Sequence, residues 1–225
     1  MSRHLVMAGR LLDEDPEAAY RHAVAARQRA SRVASVREAV GLAAYRTGRY
    51  GDALAELRTV RRLTGSPEHL PVMADCERGL GRPERALTLL RSDDARRLDR
   101  PARAELLIVA AGARADLGEL EAAVVTLQVP ELRSTTRERW VARLRSAYAD
   151  ALAAVGRWAE SREWLERAAE ADVDGETGAA DRLAELDGEI FVDLAEDDLA
   201  EDDLGLASRG GQDEGVRAEG SGGLA

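Results

Sequence analysis

Cysteine, histidine and clustered carboxylates are the side chains of this chain that could attack a substrate, move a proton or hold a metal. Cys76 is the single thiol, and His69 stands seven residues before it. On one helix that spacing would place both on one face but about 10 Å apart, at about 1.5 Å per residue and beyond hydrogen-bond reach. The other histidines, His4 and His22, belong to a different part of the chain. Cys76 therefore reads as a small buried hydrophobe in preference to a nucleophile. No His-Glu-x-x-His and no Cys-x-x-Cys occurs, so neither a metal site nor a cofactor is expected. Lysine is absent and all 32 basic residues are arginine, which removes a Walker A loop, a Schiff-base nucleophile and a lysine base together. Asp93-Asp94 and the Glu163/Glu166 pair are neighbours expected by chance with 42 acids in 225 residues. Glu163 and Arg167, four apart, read as a helix-supporting ion pair. An enzyme is not expected.

The elements that carry these residues follow from a repeat. Gly48-Arg49-Tyr50-Gly51-Asp52-Ala53-Leu54, Gly81-Arg82-Pro83-Glu84-Arg85-Ala86-Leu87 and Gly118-Glu119-Leu120-Glu121-Ala122-Ala123-Val124 are three copies of one signature. Gly156 to Ser161 is a weaker fourth, and Asp15 to Ala19 fits upstream. The steps between Ala19, Ala53, Ala86, Ala123 and Ser161 are 34, 33, 37 and 38 residues. A period in this range marks a stack of helix-turn-helix units, each burying its apolar face on its neighbours. Val36, Val40, Ala43 and Ala44 form an apolar stripe on a first helix, which Gly48 ends. Tyr50, Ala53, Leu54, Leu57, Val60 and Leu63 form a second stripe. Gly41 and Ala53 let the two helices approach closely. Short second helices are predicted near Pro83 to Arg91 and Leu120 to Gln128, with longer connections behind them that stretch the period. Asp15-Pro16 and Ser66-Pro67 read as capped helix starts, and Thr135 with Glu138 as a capping box ahead of Trp140. Trp140, Trp158 and Trp164 read as core of the last pair, with an aromatic docking surface as the competing reading.

Gly41, Tyr45, Gly48, Tyr50, Ala53 and Leu57 stand in order in the slots that define the tetratricopeptide repeat (TPR) family, which the chain resembles, in its bacterial type, over about residues 1–172. The early Trp of that repeat is missing in this unit, Ala74, Ala111 and Ala149 replace Gly41 in later units, and Ser161 stands where Ala is usual. The resemblance implies an all-α, right-handed superhelical solenoid of about five repeats, with the first helix of each pair lining a concave face that holds a peptide or partner helix. On that expectation the groove residues are Glu38, Leu42 and Tyr45, then Asp75 and Arg78, Glu105 and Ile108, and finally Arg143, Ser146 and Asp150. One subset of the family grips a terminal carboxylate with Lys and Asn; this chain contains neither, so that mode is not expected.

Charge divides the chain. Residues 1–171 hold 29 arginines against 25 acids, and residues 172–225 hold 3 against 17, which together give the net −10. Residues 173–187 are expected to hold a capping helix, and 188–225 an acidic, Gly-rich disordered tail. Within the tail Ile190, Phe191 and Val192, flanked by carboxylates, read as a linear motif for a basic partner or for the chain's own groove. Arginines interleaved with acids argue against nucleic acid as partner. The longest apolar run, Leu106 to Ala113, is too short to cross a membrane, where about 20 residues are needed. With no signal peptide read at the start and a single cysteine, a cytoplasmic setting is expected. The function expected is a non-catalytic scaffold holding a segment of another protein in the groove. The alternative is a regulatory subunit of an enzyme or transcription complex that acts through the acidic tail.

Overall fold

Four of the five turns between paired helices are closed by the same backbone chemistry, and this sets the architecture. At the first such glycine the Gly48 N–H donates to Tyr45 O (3.0 Å) and the Arg49 N–H to Ala44 O (2.8 Å). Gly81 repeats it, with bonds to Arg78 O (2.8 Å) and from Arg82 N–H to Glu77 O (2.9 Å). This double closure consumes the orphan carbonyls of a helix end and needs a left-handed residue; φ is 72° at Gly48 and 71° at Gly81, where a β-carbon would be strained. Gly118 and Gly156 close their turns in the same way.

The computed structural model describes residues 2–186. Among these, ten α-helices form five consecutive pairs: α1 (Ser2–Leu11) with α2 (Pro16–Arg29), α3 (Ala34–Arg46) with α4 (Tyr50–Thr64), α5 (Leu70–Gly79) with α6 (Pro83–Leu90), α7 (Arg100–Asp116) with α8 (Leu120–Leu127), and α9 (Arg139–Ala154) with α10 (Trp158–Ala171). No strand occurs among the described residues. Within residues 1–180 each second helix also packs on the first helix of the following pair, and α7 packs on α5 and α9. The result is a stack. Short 3-10 turns at Asp93–Arg97 and Pro130–Arg133 lengthen the connections after α6 and α8, where the period drifts. Helical conformation also runs over 179–186, inside the span expected for a cap. The readings placed on 188–225, including Ile190, Phe191, Val192 and the disordered tail, lie outside the described residues.

Small residues set the close crossings. Ala19, Ala53 and Ala86 are fully buried and Ala123 nearly so. A β-carbon on Gly41 would stand 2.8 Å from Leu57 Cδ2 and 2.9 Å from its Cγ, so α3 and α4 meet here only because Gly41 lacks one. In the last pair Ser161 takes the alanine's place and its buried hydroxyl donates to Ala149 O at 2.8 Å, a bond worth about 1 kcal/mol. Val36, Val40, Ala43 and Ala44 are buried as the stripe requires, whereas Leu63 is exposed on the last turn of α4. Two buried carboxylates tie units together: Glu56 meets Arg27 of α2 and Arg37 of α3, and Glu77 meets Arg58 of α4 at 2.5 Å.

Some local expectations are corrected. Asp15 does cap α2 by accepting from the Ala18 N–H (2.9 Å), and Asp99 caps α7 through Ala102 (3.0 Å). Ser66 accepts from Glu68 N–H within a turn, and α5 starts four residues later at Leu70, after His69. Thr135 caps nothing: α9 opens at Arg139, and the Glu138 carboxylate accepts from Trp140 Nε1 at 2.6 Å. The i,i+4 ion pair on α10 is Arg162–Glu166, while Arg167 lies over the Trp164 ring at 4.6 Å. Trp164 packs edge-on against Tyr148, but Trp158 is 64% exposed, so the tryptophans are not one core.

Candidate partner-binding groove

Successive first helices are joined by a run of polar contacts along one face. On α3 the Tyr45 hydroxyl donates to Asp75 Oδ2 of α5 at 2.7 Å. Burial first, and this bond second, push the phenol well above its usual range. Arg78, one turn further along α5, donates to Asp75 Oδ1 (3.1 Å) and then crosses to α7, where Nε and Nη2 meet the two oxygens of Asp116 at 2.8 and 3.2 Å. The Asp116 carboxylate holds the guanidinium above its ordinary value. A β-carbon on Gly112 would fall 2.7 Å from Arg78 Cζ, so the glycine is what lets the arginine lie flat across α7. Between α7 and α9, Arg143 grips Glu105 with both ends, Nε to Oε1 at 2.7 Å and Nη2 to Oε2 at 2.8 Å. His69 Nε2 lies 3.1 Å from Glu38 Oε1.

A cavity of about 1040 Å³ opens on this face. Asp13 and Arg46 line it from the first two pairs, Pro101 and Glu105 from α7, and Arg139, Trp140 and Arg143 from α9. Units far apart in sequence thus share one concavity, which requires the stack of residues 1–180 to curve. Its charged lining is balanced: Arg46, Arg137, Arg139 and Arg143 face Asp13, Glu105, Glu138 and Glu176. Arg46–Asp13 (2.8 Å) and Arg139–Glu176 are ion pairs with exposed partners, each worth about 0–1 kcal/mol and therefore readily exchanged for a ligand's charges. A smaller apolar cavity of about 270 Å³ lies between α7, α8 and α9, walled by Ile108, Ala111, Ala123, Leu127, Ala147 and Ala151, with Arg78 and Asp150 at its edge.

The residues expected for the groove sort by these contacts. Tyr45, Asp75 and Arg78 are brought together, as are Glu105 and Arg143, and Glu38 meets His69. Ile108 and Asp150 line the apolar cavity and Leu42 is half-buried. Ser146 is corrected: at 7% exposure it is buried on α9 and lines neither cavity. Asp13, Arg46, Arg137, Arg139 and Trp140 line the large cavity and escaped sequence reasoning. They sit at helix ends and in connections, where helical periodicity assigns no face.

Cys76 is fully buried among Ala44, Ala53, Leu54, Leu57 and Met73, and burial, then Asp75 and Glu77, push its thiol up to about 12. His69, expected too far from Cys76 to bond it, faces Glu38. Among the described residues no three His, Cys, Asp or Glu side chains converge as metal ligands, and no helix is long and apolar enough to cross a membrane.

No protein-family model matches the chain, and no curated protein matches it in sequence. Among solved structures it is similar to a thermophilic TPR protein of Thermus thermophilus, with a TM-score of 0.62 at 22% identity over 82% of this chain and 97% of the other. At that identity the likeness establishes the fold: five stacked helical pairs of the TPR type.

Proposed function

We propose that this TPR-fold chain is a non-catalytic scaffold that holds a segment of another protein in the groove formed by its first helices. The observation that carries the reading is the single cavity of about 1040 Å³ to which four of the five pairs contribute. A concavity assembled from several units offers an extended segment contacts along its length, and five stacked pairs supply the rigidity that lowers the entropic cost of holding it. Trp140 is the natural anchor, a half-buried aromatic side chain fixed by its bond to Glu138 and set among exchangeable ion pairs. The balance of arginines and carboxylates favours a protein segment of mixed charge over a nucleic acid, whose phosphates would demand a net positive face. The single cysteine supports a cytoplasmic setting. The alternative, a regulatory subunit acting through residues 172–225, draws support from their 17 acids against 3 arginines.

Affinity capture with the full chain, with the double variant Trp140→Ala/Arg46→Glu and with the chain ended after Leu186 tests this. A scaffold retains its partner without the tail and loses it with the groove variant. Retention by the groove variant, or loss only on removing the tail, overturns the groove reading; turnover of a substrate by the purified chain overturns the non-catalytic part.

A further inference from the structure

Many arginines in this protein end on carboxylates, as the contacts of Arg27, Arg37, Arg49, Arg58, Arg61 and Arg78 illustrate. At one place several arginines without such a partner come together around a single cavity. Where the connection after Pro130–Arg133 meets α9 and α10, a cavity of about 490 Å³ is lined by Arg133, Arg137, Arg145 and Arg167, with Glu170 as the single acid. Arg145 meets backbone only, donating Nε to Leu132 O (3.1 Å), Nη1 to Arg167 O (2.8 Å) and Nη2 to Ser134 O (2.6 Å). Arg167 stacks on Trp164, and none of the four forms an ion pair with a described residue. Burial first, and then the neighbouring Arg167, depress Arg145 below its ordinary value, with Glu170 acting the other way as the one counter-charge beside it. The hydroxyls of Ser134 and Thr136 are hydrogen-bonded to each other at 3.1 Å on the same wall, leaving one hydroxyl donor beside the guanidiniums. Arg145, by holding three carbonyls at once, fixes the wall in place. Crowded like charges cost stability, and an anion seated among them reverses that cost with charge-assisted hydrogen bonds.

We propose that this cavity is an oxyanion subsite that receives clustered carboxylates of an acidic protein segment. Arg137 lines both this cavity and the large groove, so the two are contiguous. The acidic cluster is therefore assigned to the same partner that occupies the groove, and the subsite rests on the scaffold reading for its carrier. The lining of the groove is balanced in charge; the subsite is what gives the scaffold a preference for acidic segments.

The test uses the full chain at low ionic strength and a fluorescein-labelled peptide, Gly-Ser-Asp-Asp-Asp-Ser-Gly, followed by anisotropy. Arg133→Gln/Arg167→Gln removes two of the four cations and leaves Arg145 holding the loop. Arg85→Gln/Arg91→Gln, on α6 and at its C-cap, removes the same charge from exposed positions elsewhere. Circular dichroism verifies that both variants are folded. The Kd of the tri-aspartate peptide should rise about tenfold or more in the first variant and stay within about twofold in the second. Equal weakening in both variants, or no binding to the unaltered chain, overturns the subsite. A peptide with one phosphoserine that binds through the same arginines while the tri-aspartate peptide does not overturns the carboxylate assignment. Failure here is separable from failure of the groove: a partner captured in a Trp140-dependent manner but indifferent to Arg133→Gln/Arg167→Gln leaves the scaffold standing and removes only the subsite.

Discussion

Replacing Gly41 by Ala should have opposite effects on stability depending on what stands at position 57. In the unaltered chain the new methyl would lie 2.8 and 2.9 Å from two carbons of Leu57, well inside contact distance. Leu57 is fully buried and has no solvent to retreat into. Overpacking of this kind costs about 1–3 kcal/mol, against which removal of a mid-helix glycine returns about 1 kcal/mol. The expected net is a loss of about 0–2 kcal/mol. Leu57→Ala alone leaves a cavity and should cost about 2–5 kcal/mol. In that background the obstructing carbons are gone, the methyl enters the space they vacated, and Gly41→Ala should stabilise by about 1 kcal/mol. The double-mutant cycle then returns a coupling of about 1–3 kcal/mol, far above the ~0.5 kcal/mol expected of independent sites. Urea unfolding followed by circular dichroism at 222 nm on all four proteins measures it. A stacked array can unfold unit by unit, so matching slopes of the four transitions are needed before midpoints are compared. If Gly41→Ala shifts stability by the same amount in both backgrounds, the small-residue crossing of α3 and α4 is not what the contact implies.

Ala53→Leu should destabilise by about 1–3 kcal/mol in the same assay, because Ala53 is fully buried at that helical interface. Ser161→Ala removes a buried donor to Ala149 O and should cost about 1 kcal/mol, with Ser161→Gly costing more through its added helix penalty. Cys76 should resist a disulfide exchange reagent at pH 8 in the native state and react at once in denaturant, since burial raises its thiol to about 12. Tyr45 should resist ionisation in an ultraviolet titration, its folded pKa lying above the unfolded value of about 10. The unfolded chain therefore gives up the proton first, so stability is unaffected below about pH 10 and falls as pH rises past it, a fall that Tyr45→Phe should reduce.

The helical pairs and their turns were legible in residue types because their causes are local. Gly48 and Gly81 end helices by backbone geometry that operates within six residues, and Ala53 and Ala86 mark crossings through size alone. The capped starts read at Ser66 and Thr135 failed for the opposite reason. Ser and Thr side chains bond equally well within turns, and which option is taken depends on where the neighbouring unit places the chain. Leu63 falls on an apolar stripe by periodicity and Trp158 reads as core of the last pair, yet neither residue type nor period says whether another helix arrives to cover a helix end.

From its amino-acid order alone the chain determined that it forms an array of helical pairs, where each pair turns, and which small residues lie at the crossings. Only the tertiary structure decided which charges meet across the stack. Tyr45, Asp75, Arg78 and Asp116 belong to three successive units and become neighbours through curvature. Asp13, Arg46 and Arg143 share one cavity for the same reason. An arginine at a helix end can reach several carboxylates from its flexible stem; whether it finds one, as Arg78 does, or finds carbonyls only, as Arg145 does, depends on the relative placement of units that no short stretch of residues encodes.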